Sequence, residues 1–329
     1  MAALCFIGGF KMKKKIIKNT LIAGAAGVGA LAAIGNYFVN LYLSRDGIKK
    51  LQNGPGMLDE ATKKILHESP ESVDSVEFYR TTPHKKIFTF NKDSKCLHAI
   101  QYENDSDIYV IFCHGFTGDP NTDNVFAKRY YEMGYNVVMP YSRAHGKSEH
   151  NYCTMGWFER FDIIDWAKYI ADKNPDAKIV LHGVSMGSAT VMMATGEILP
   201  SNVKCCIADC GYTSLWEQYS INIRNMIPGA PAELLLHAAN IVSKHKIGFD
   251  FKDASAVEQV KKSVTPTLFI HGDKDDFVPF WMNYTLYSAA NCEKQRLVVP
   301  DSPHAVSELV NPELYWSTVS EFIDKYTKQ

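Results

Sequence analysis

Six short apolar runs divide the chain between residues 107 and 300, and no other feature restricts its fold as strongly. They are DIYVIFCHG, YNVVMP, AKIVLHG, VKCCIA, PTLFIHG and QRLVVP. Each has the length of a strand and is apolar almost throughout, where a half-exposed strand would alternate. A strand that is apolar on both sides has to be covered on both sides. The intervening stretches supply the cover. Asn124 to Met133 is amphipathic at helical spacing. Gly156 to Ala171 places Trp157, Phe161, Ile164 and Tyr169 close to one face, and Ser188 to Ile198 and Pro312 to Lys325 also read as helices. Strand and helix in alternation predict an α/β fold, a mostly parallel central sheet with helices on both faces. Ahead of it, KKIFTF and CLHAIQY read as an antiparallel pair at the edge. One interval breaks the rhythm: more than forty residues separate VKCCIADCGY from PTLFIHG, with Trp216, Tyr219, Met226, Ile227 and a leucine run at 234–236. They predict a helical cap insertion over about 212–255.

The run AKIVLHG leads straight into Gly183-Val184-Ser185-Met186-Gly187 and then a helix-forming stretch. A serine on a tight strand-to-helix corner stands exposed at the carboxyl end of the sheet. Small residues two positions to either side let the corner close, and the amide of Met186 is free to donate to a developing oxyanion. A serine hydroxyl is a weak nucleophile at neutral pH. It needs a base within hydrogen-bond reach and a carboxylate to orient that base.

The chain offers both, each just beyond a later strand. PTLFIHG is followed by Asp273-Lys274-Asp275-Asp276-Phe277-Val278-Pro279, and QRLVVP by Asp301-Ser302-Pro303-His304. Ser, Asp, His is the chain order such sheets use. Asp275, midway in its loop, is the expected acid; Asp273 and Asp276 are expected to cap turns or the next helix, and Asp209 is a weaker candidate. His304 is the expected base. His114, His145, His182 and His271 sit at other strand ends and read as structural. The glycine-rich turn His114-Gly115-Phe116-Thr117-Gly118 follows the first parallel strand, which makes the amide of Phe116 the expected second oxyanion donor.

GVSMG, HGFTG, HGDKDDFVP and the final His304, in this order, together with Arg143-Ala144-His145-Gly146-Lys147-Ser148, resemble the α/β-hydrolase superfamily. The resemblance covers roughly residues 75–327. Within the superfamily, MGWFERFD and NPELYW look like membrane-anchored bacterial serine hydrolases of the serine-aminopeptidase-like (S33-type) subgroup. That subgroup commonly has an Asp where this chain has Tyr141, a departure that touches the loop and not the triad. The resemblance implies an α/β-hydrolase domain over 75–329 whose cap covers the active site. It also implies a carboxylic ester hydrolase working through an acyl-enzyme, with Ser185, His304 and Asp275 as triad and the Phe116 and Met186 amides as oxyanion hole. Peptide, thioester and acyl-transfer chemistry use the same machinery. A binding module on an inactive hydrolase fold is a further alternative. No metal or organic cofactor is expected, and the partner is a small acyl-ester or peptide substrate.

Composition sharpens the ends of this reading. A net charge of −1 gives no basic bias toward nucleic acid. Lys11, Lys13, Lys14, Lys15 and Lys18 form a basic cluster, and Asn19 to Ser44 then carries no charge. A helix over that whole stretch would reach about 39 Å, more than the roughly 30 Å hydrocarbon core of a bilayer. Lysines before such a stretch stay in the cytoplasm. The expectation is therefore a cytoplasmic N-terminus over 1–18, a transmembrane anchor over 19–44, a juxtamembrane segment over 45–74 with a helix near Leu58 to His67, and an extracytoplasmic catalytic domain. A leader cleaved near Ala30-Leu31-Ala32 is one alternative, and a core helix of a soluble protein is the other. The eight cysteines form no CxxC pair and have no zinc-ligand spacing to histidines. They read as buried free thiols, which hints at a reducing compartment and sits awkwardly with an extracytoplasmic domain.

Overall fold

The computed structural model describes residues 27–54, 60–120 and 123–328. Among them, four helices come first: α1 (Gly27–Tyr42), α2 (Arg45–Gln52), α3 (Glu60–Glu68) and α4 (Pro70–Thr81). The sheet opens with β1 (Lys85–Phe90) and β2 (Cys96–Tyr102). Strands and helices then alternate as β3 (Ile108–Cys113), α5 (Asn124–Glu132), β4 (Asn136–Pro140), α6 (Glu159–Lys173), β5 (Lys178–Val184), α7 (Met186–Thr195) and β6 (Val203–Asp209). The long interval holds α8 (Leu215–Met226) and α9 (Ala232–Ile247), and α10 (Ala256–Val260) leads out of it. Then come β7 (Thr267–Gly272), α11 (Trp281–Ala289), β8 (Lys294–Val299), α12 (Ser307–Val310) and α13 (Pro312–Thr327).

The eight strands lie in the order β1-β2-β4-β3-β5-β6-β7-β8. β2 runs antiparallel to both β1 and β4, and every other neighbouring pair is parallel. The direction of winding reverses beside β3, and open sheets of this kind bind ligands at the carboxyl ends of strands near such a reversal. The expected edge pair is present in register, Lys85 opposite Gln101 through Phe90 opposite Cys96.

Alternation along each strand feeds two cores. Val110 and Phe112 of β3 join Val180, Ile207 and Leu268 on one face, against Phe126 and Tyr130 of α5 and Tyr315, Val319 and Phe322 of α13. Ile111, between them, turns the other way with Ile179, Leu181 and Cys206, onto Ile163, Trp166 and Ile170 of α6 and Val191 of α7. Every residue of α7 is buried, the pattern of a helix enclosed on all sides. Cys113, Cys153, Cys205, Cys206 and Cys210 are free and buried, as expected, with Cys96 and Cys292 half-buried. Burial pushes the five enclosed thiols well up. Cys5 lies outside the described residues.

The expected N-terminal anchor falls partly outside the described residues. Among the described residues no helix is long and apolar enough to cross a membrane. The second half of the expected 19–44 anchor is the 16-residue α1, which lies along α9 of the cap. A Cβ on Gly35 would stand 2.5 Å from the carbonyl oxygen of Ala238, so the two backbones approach as only glycine permits. Val39 and Leu43 are fully buried, and Leu31, Ile34 and Phe38 pack onto the same cluster. Lys246 donates to the Asn36 and Asn40 side chains, at 2.5 and 3.2 Å, across the outside of this contact. An uncharged helix packed on a cap reads in sequence like one packed in lipid. Residues 19–26, with the lysine cluster, lie outside the described residues.

Candidate active site

Ser185 joins β5 to α7 with φ 56° and ψ −114°, a conformation that persists only where the surroundings hold it. Both glycines of the motif are close-approach positions. A Cβ on Gly183 would stand 2.2 Å from the Gly187 carbonyl oxygen, and one on Gly187 would stand 1.9 Å from the Cys113 carbonyl oxygen at the end of β3. The Ser185 amide donates to the Asp209 carbonyl at 2.9 Å, tying the corner to the end of β6. As the first residue of α7, Met186 has an amide with no carbonyl partner inside the helix.

The loops after β7 and β8 bring the other two residues to this corner. His304 Nε2 lies 2.9 Å from Ser185 Oγ, and His304 Nδ1 lies 2.7 Å from Asp275 Oδ2. Asp275 Oδ1 accepts the amides of Phe277 at 3.0 Å and Val278 at 2.8 Å. Burial pushes the Asp275 carboxyl up. The charge of His304 and hydrogen bonds from His271 and His304 more than offset this and hold it well below the usual carboxylate range. The two loops are pressed together: Asp301 donates its amide to Asp273 Oδ1 at 2.7 Å, and a Cβ on Gly272 would meet the Ser302 carbonyl oxygen at 2.2 Å. Asp273 thus ties the loops and does not face His304.

Asp209 is also elsewhere. Its carboxylate accepts the Tyr315 hydroxyl at 2.9 Å, and burial pushes it up to about 6. Tyr315 OH and Tyr130 OH bracket the ring of His182, at 3.2 and 2.7 Å. Because Tyr315 donates to Asp209, it accepts from His182 Nε2, which leaves Nδ1 to accept from Tyr130. His114 Nε2 accepts the amide of Ser142 at 3.0 Å, and His145 Nδ1 lies 2.9 Å from the Arg143 carbonyl oxygen. Burial lowers His145 and His182 to about 3. These three histidines hold the framework.

His271 is the site residue that sequence reasoning placed among the structural ones. Its Nε2 stands 3.2 Å from Asp275 Oδ2 and 2.9 Å from the Val278 carbonyl oxygen, so Asp275 receives two imidazoles. A second histidine four residues before the acid was the available signal. Among the described residues, Cys210, Asp275 and His304 bring potential metal-ligand atoms within 4.8 Å of one another. Two of these are joined in the serine–histidine–aspartate chain, and burial pushes the Cys210 thiol well up, away from its ligating thiolate form.

Phe116 and Met186 flank Ser185 in the wall of a pocket that also takes in Tyr212, Tyr219 and Phe277. The loop behind it is fastened by Arg143, whose guanidinium meets Asp162 at 2.5 and 2.7 Å, and by Ser148 Oγ, which accepts the His98 amide at 2.9 Å. Tyr141, the departure noted above, lays its ring over Gly146, where a Cβ would meet it at 2.1 Å. The aromatic ring fills the inside of that turn.

Sheet order and serine corner are those of the α/β-hydrolase fold. A family model described as alpha/beta hydrolase fold matches residues 108–262. The Bacillus subtilis uncharacterized protein YqkD is 27% identical over 311 residues, 94% of this chain and 98% of that one. The Pyrococcus furiosus esterase Pf2001 superposes with a TM-score of 0.62 at 24% identity, over 75% of this chain and 94% of the esterase. A Pyrococcus horikoshii acylaminoacyl peptidase superposes with a TM-score of 0.54 at 16% identity, over 77% of this chain and 43% of the peptidase.

Proposed function

We propose that the protein is a serine hydrolase that cleaves a carboxylic ester through an acyl-enzyme. The observation that carries this reading is the unbroken chain from Ser185 Oγ to His304 Nε2 and from His304 Nδ1 to Asp275 Oδ2. Ser185 Oγ attacks the ester carbonyl while His304 Nε2 takes its proton. Asp275 keeps the other ring proton on Nδ1 and stabilises the imidazolium that forms. The Phe116 and Met186 amides receive the oxyanion. His304 then gives its proton to the leaving alcohol, activates water, and the acyl group leaves as the acid.

Ester is preferred over peptide cleavage next to a free amine because none of the described residues lining the pocket is charged. An aminopeptidase has to hold an ammonium group, and a carboxylate is the usual partner. Thioester cleavage and acyl transfer share the triad. Function is tested by fluorophosphonate labelling of the wild type, Ser185→Ala and His304→Ala, followed by turnover of matched ester, thioester and aminoacyl-amide substrates. Labelling that needs Ser185 and falls sharply without His304, with the ester turned over fastest, is the expected result. A folded wild type that does not label would favour a binding module on an inactive fold.

A further inference from the structure

We infer that α1 is a specificity element of the site: Phe38 and Tyr42 close the apolar pocket beside Ser185 and restrict it to short acyl groups. This rests on the reading of Ser185 as nucleophile. It assigns a role in substrate selection to a segment that precedes the sheet and all of the catalytic loops.

The pocket that reaches Ser185 is lined by Phe38 and Tyr42 from α1 as well as by Tyr219 and Met226 from α8. The two α1 rings are 4.7 Å apart, and Phe38 meets Tyr219 edge-on at 5.1 Å. The Tyr42 hydroxyl reaches Met226 Sδ at 3.9 Å. These contacts make a continuous wall of rings and a thioether opposite the nucleophile. The wall is fixed, because Gly35 presses on the Ala238 backbone and Val39 and Leu43 are fully buried. α1 is therefore part of the cap's packing and cannot drift away from it as a loose arm would.

The centre of a water-sized sphere has only about 30 Å³ in which to move inside the pocket. An acetyl or propionyl group suits a space of that order, whereas an octanoyl chain has to displace the Phe38 ring or the helix that carries it. The Tyr42 phenol carries no charge at physiological pH, so this end of the pocket is uncharged. An apolar acyl group with no charge of its own is what such a wall accepts.

The test uses the full chain and p-nitrophenyl esters from acetate to dodecanoate, with fluorophosphonate labelling beside it. The wild type is expected to be most active on the shortest esters. In Phe38→Ala the ratio of kcat/KM for octanoate to that for acetate should rise at least about tenfold, the discrimination one or two methylenes in an apolar pocket provide. Phe38→Leu should move the same way by less, and it covers the case in which the alanine variant does not fold. Tyr37→Ala, on the exposed side of the same helix, should keep the wild-type profile. A wild type that prefers octanoate or longer would overturn the inference. So would folded, fully labelled Phe38→Ala and Phe38→Leu proteins whose chain-length profiles superpose on the wild type. In both cases labelling shows that the nucleophile stands and only the role of α1 has failed; an unlabelled wild type removes both readings.

Discussion

Replacing Asp275 by Asn tests the site where its hydrogen bonds are most crowded. Oδ1 takes the amides of Phe277 and Val278, and Oδ2 faces His304 Nδ1 and His271 Nε2. A carboxylate accepts all four, but an amide has one acceptor oxygen. If that oxygen stays on the two amides, the new NH₂ points at His304 Nδ1, where a proton already sits. The conflict is relieved when the imidazole moves its proton to Nε2 and accepts from the amide through Nδ1. Nε2 then carries a hydrogen and cannot take the proton of Ser185. The same exchange in a serine protease lowers kcat by about 10⁴, equivalent to about 5 kcal/mol of transition-state stabilisation. We expect a loss of that order for Asp275→Asn, read as kcat on p-nitrophenyl acetate. Stability should fall by only about 1–3 kcal/mol, because the buried N–H of His271 meets the new NH₂ and keeps only the Val278 carbonyl as acceptor; a urea melt reads this. Asp273→Asn should lose far less activity. An Asp275→Asn protein that keeps more than roughly a tenth of wild-type kcat would refute the assignment, as would a larger loss in the Asp273 variant.

Four further outcomes follow from the same geometry. Ser185→Gly should be inactive yet more stable than Ser185→Ala by about 1 kcal/mol in denaturant melts, because only glycine relaxes at φ 56°. Gly187→Ala should cost about 3 kcal/mol or fail to give soluble protein, since the added methyl lands on the Cys113 carbonyl. Asp162→Asn should cost about 3 kcal/mol by thermal melt, because it leaves the buried Arg143 guanidinium with only the exposed Asp93 carboxylate, 3.7 Å away, as a direct ion-pair partner. His182 is lowered to about 3 in the fold, so the unfolded chain binds its proton first as the pH falls. Its contribution is fully present above the unfolded value near 6.5 and is lost between there and about 3; wild type should therefore lose about 1 kcal/mol per pH unit relative to His182→Gln across that window, measured by urea titration.

The sheet was legible because its strands are apolar on both sides, and that pattern has few other uses. The expected helices over Gly156 to Ala171 and Ser188 to Ile198 are displaced by two or three residues at each end. The first starts late because Gly156, at φ 98°, turns the chain first. The second starts as soon as Ser185 has passed. α4 was not anticipated. Only Ser75 and Phe78 of it are buried, too little for a periodic signal, although Ser69 and Pro70 mark its start. The serine and the final histidine were readable because the chain order of such sites and the strand ends agree. The acid needed loop geometry: Asp273 and Asp275 differ in which strand end they meet. The pocket wall from α1 was hidden for a different reason. Local apolarity does not say whether a helix will meet lipid or protein, and its partner Ala238 lies far along the chain.

That distance has a cost in time during synthesis. About 200 residues separate Gly35 from Ala238, which is roughly 10–40 s of translation at common elongation rates. For that interval the face holding Leu31, Ile34 and Phe38 has left the ribosome while the cap cluster it will join does not yet exist. The nascent chain then exposes an uncharged, largely apolar segment, a target for a chaperone or a bilayer surface. The pocket beside Ser185, closed by α1 and finished by the loop after β8, is completed only when both of these segments are available.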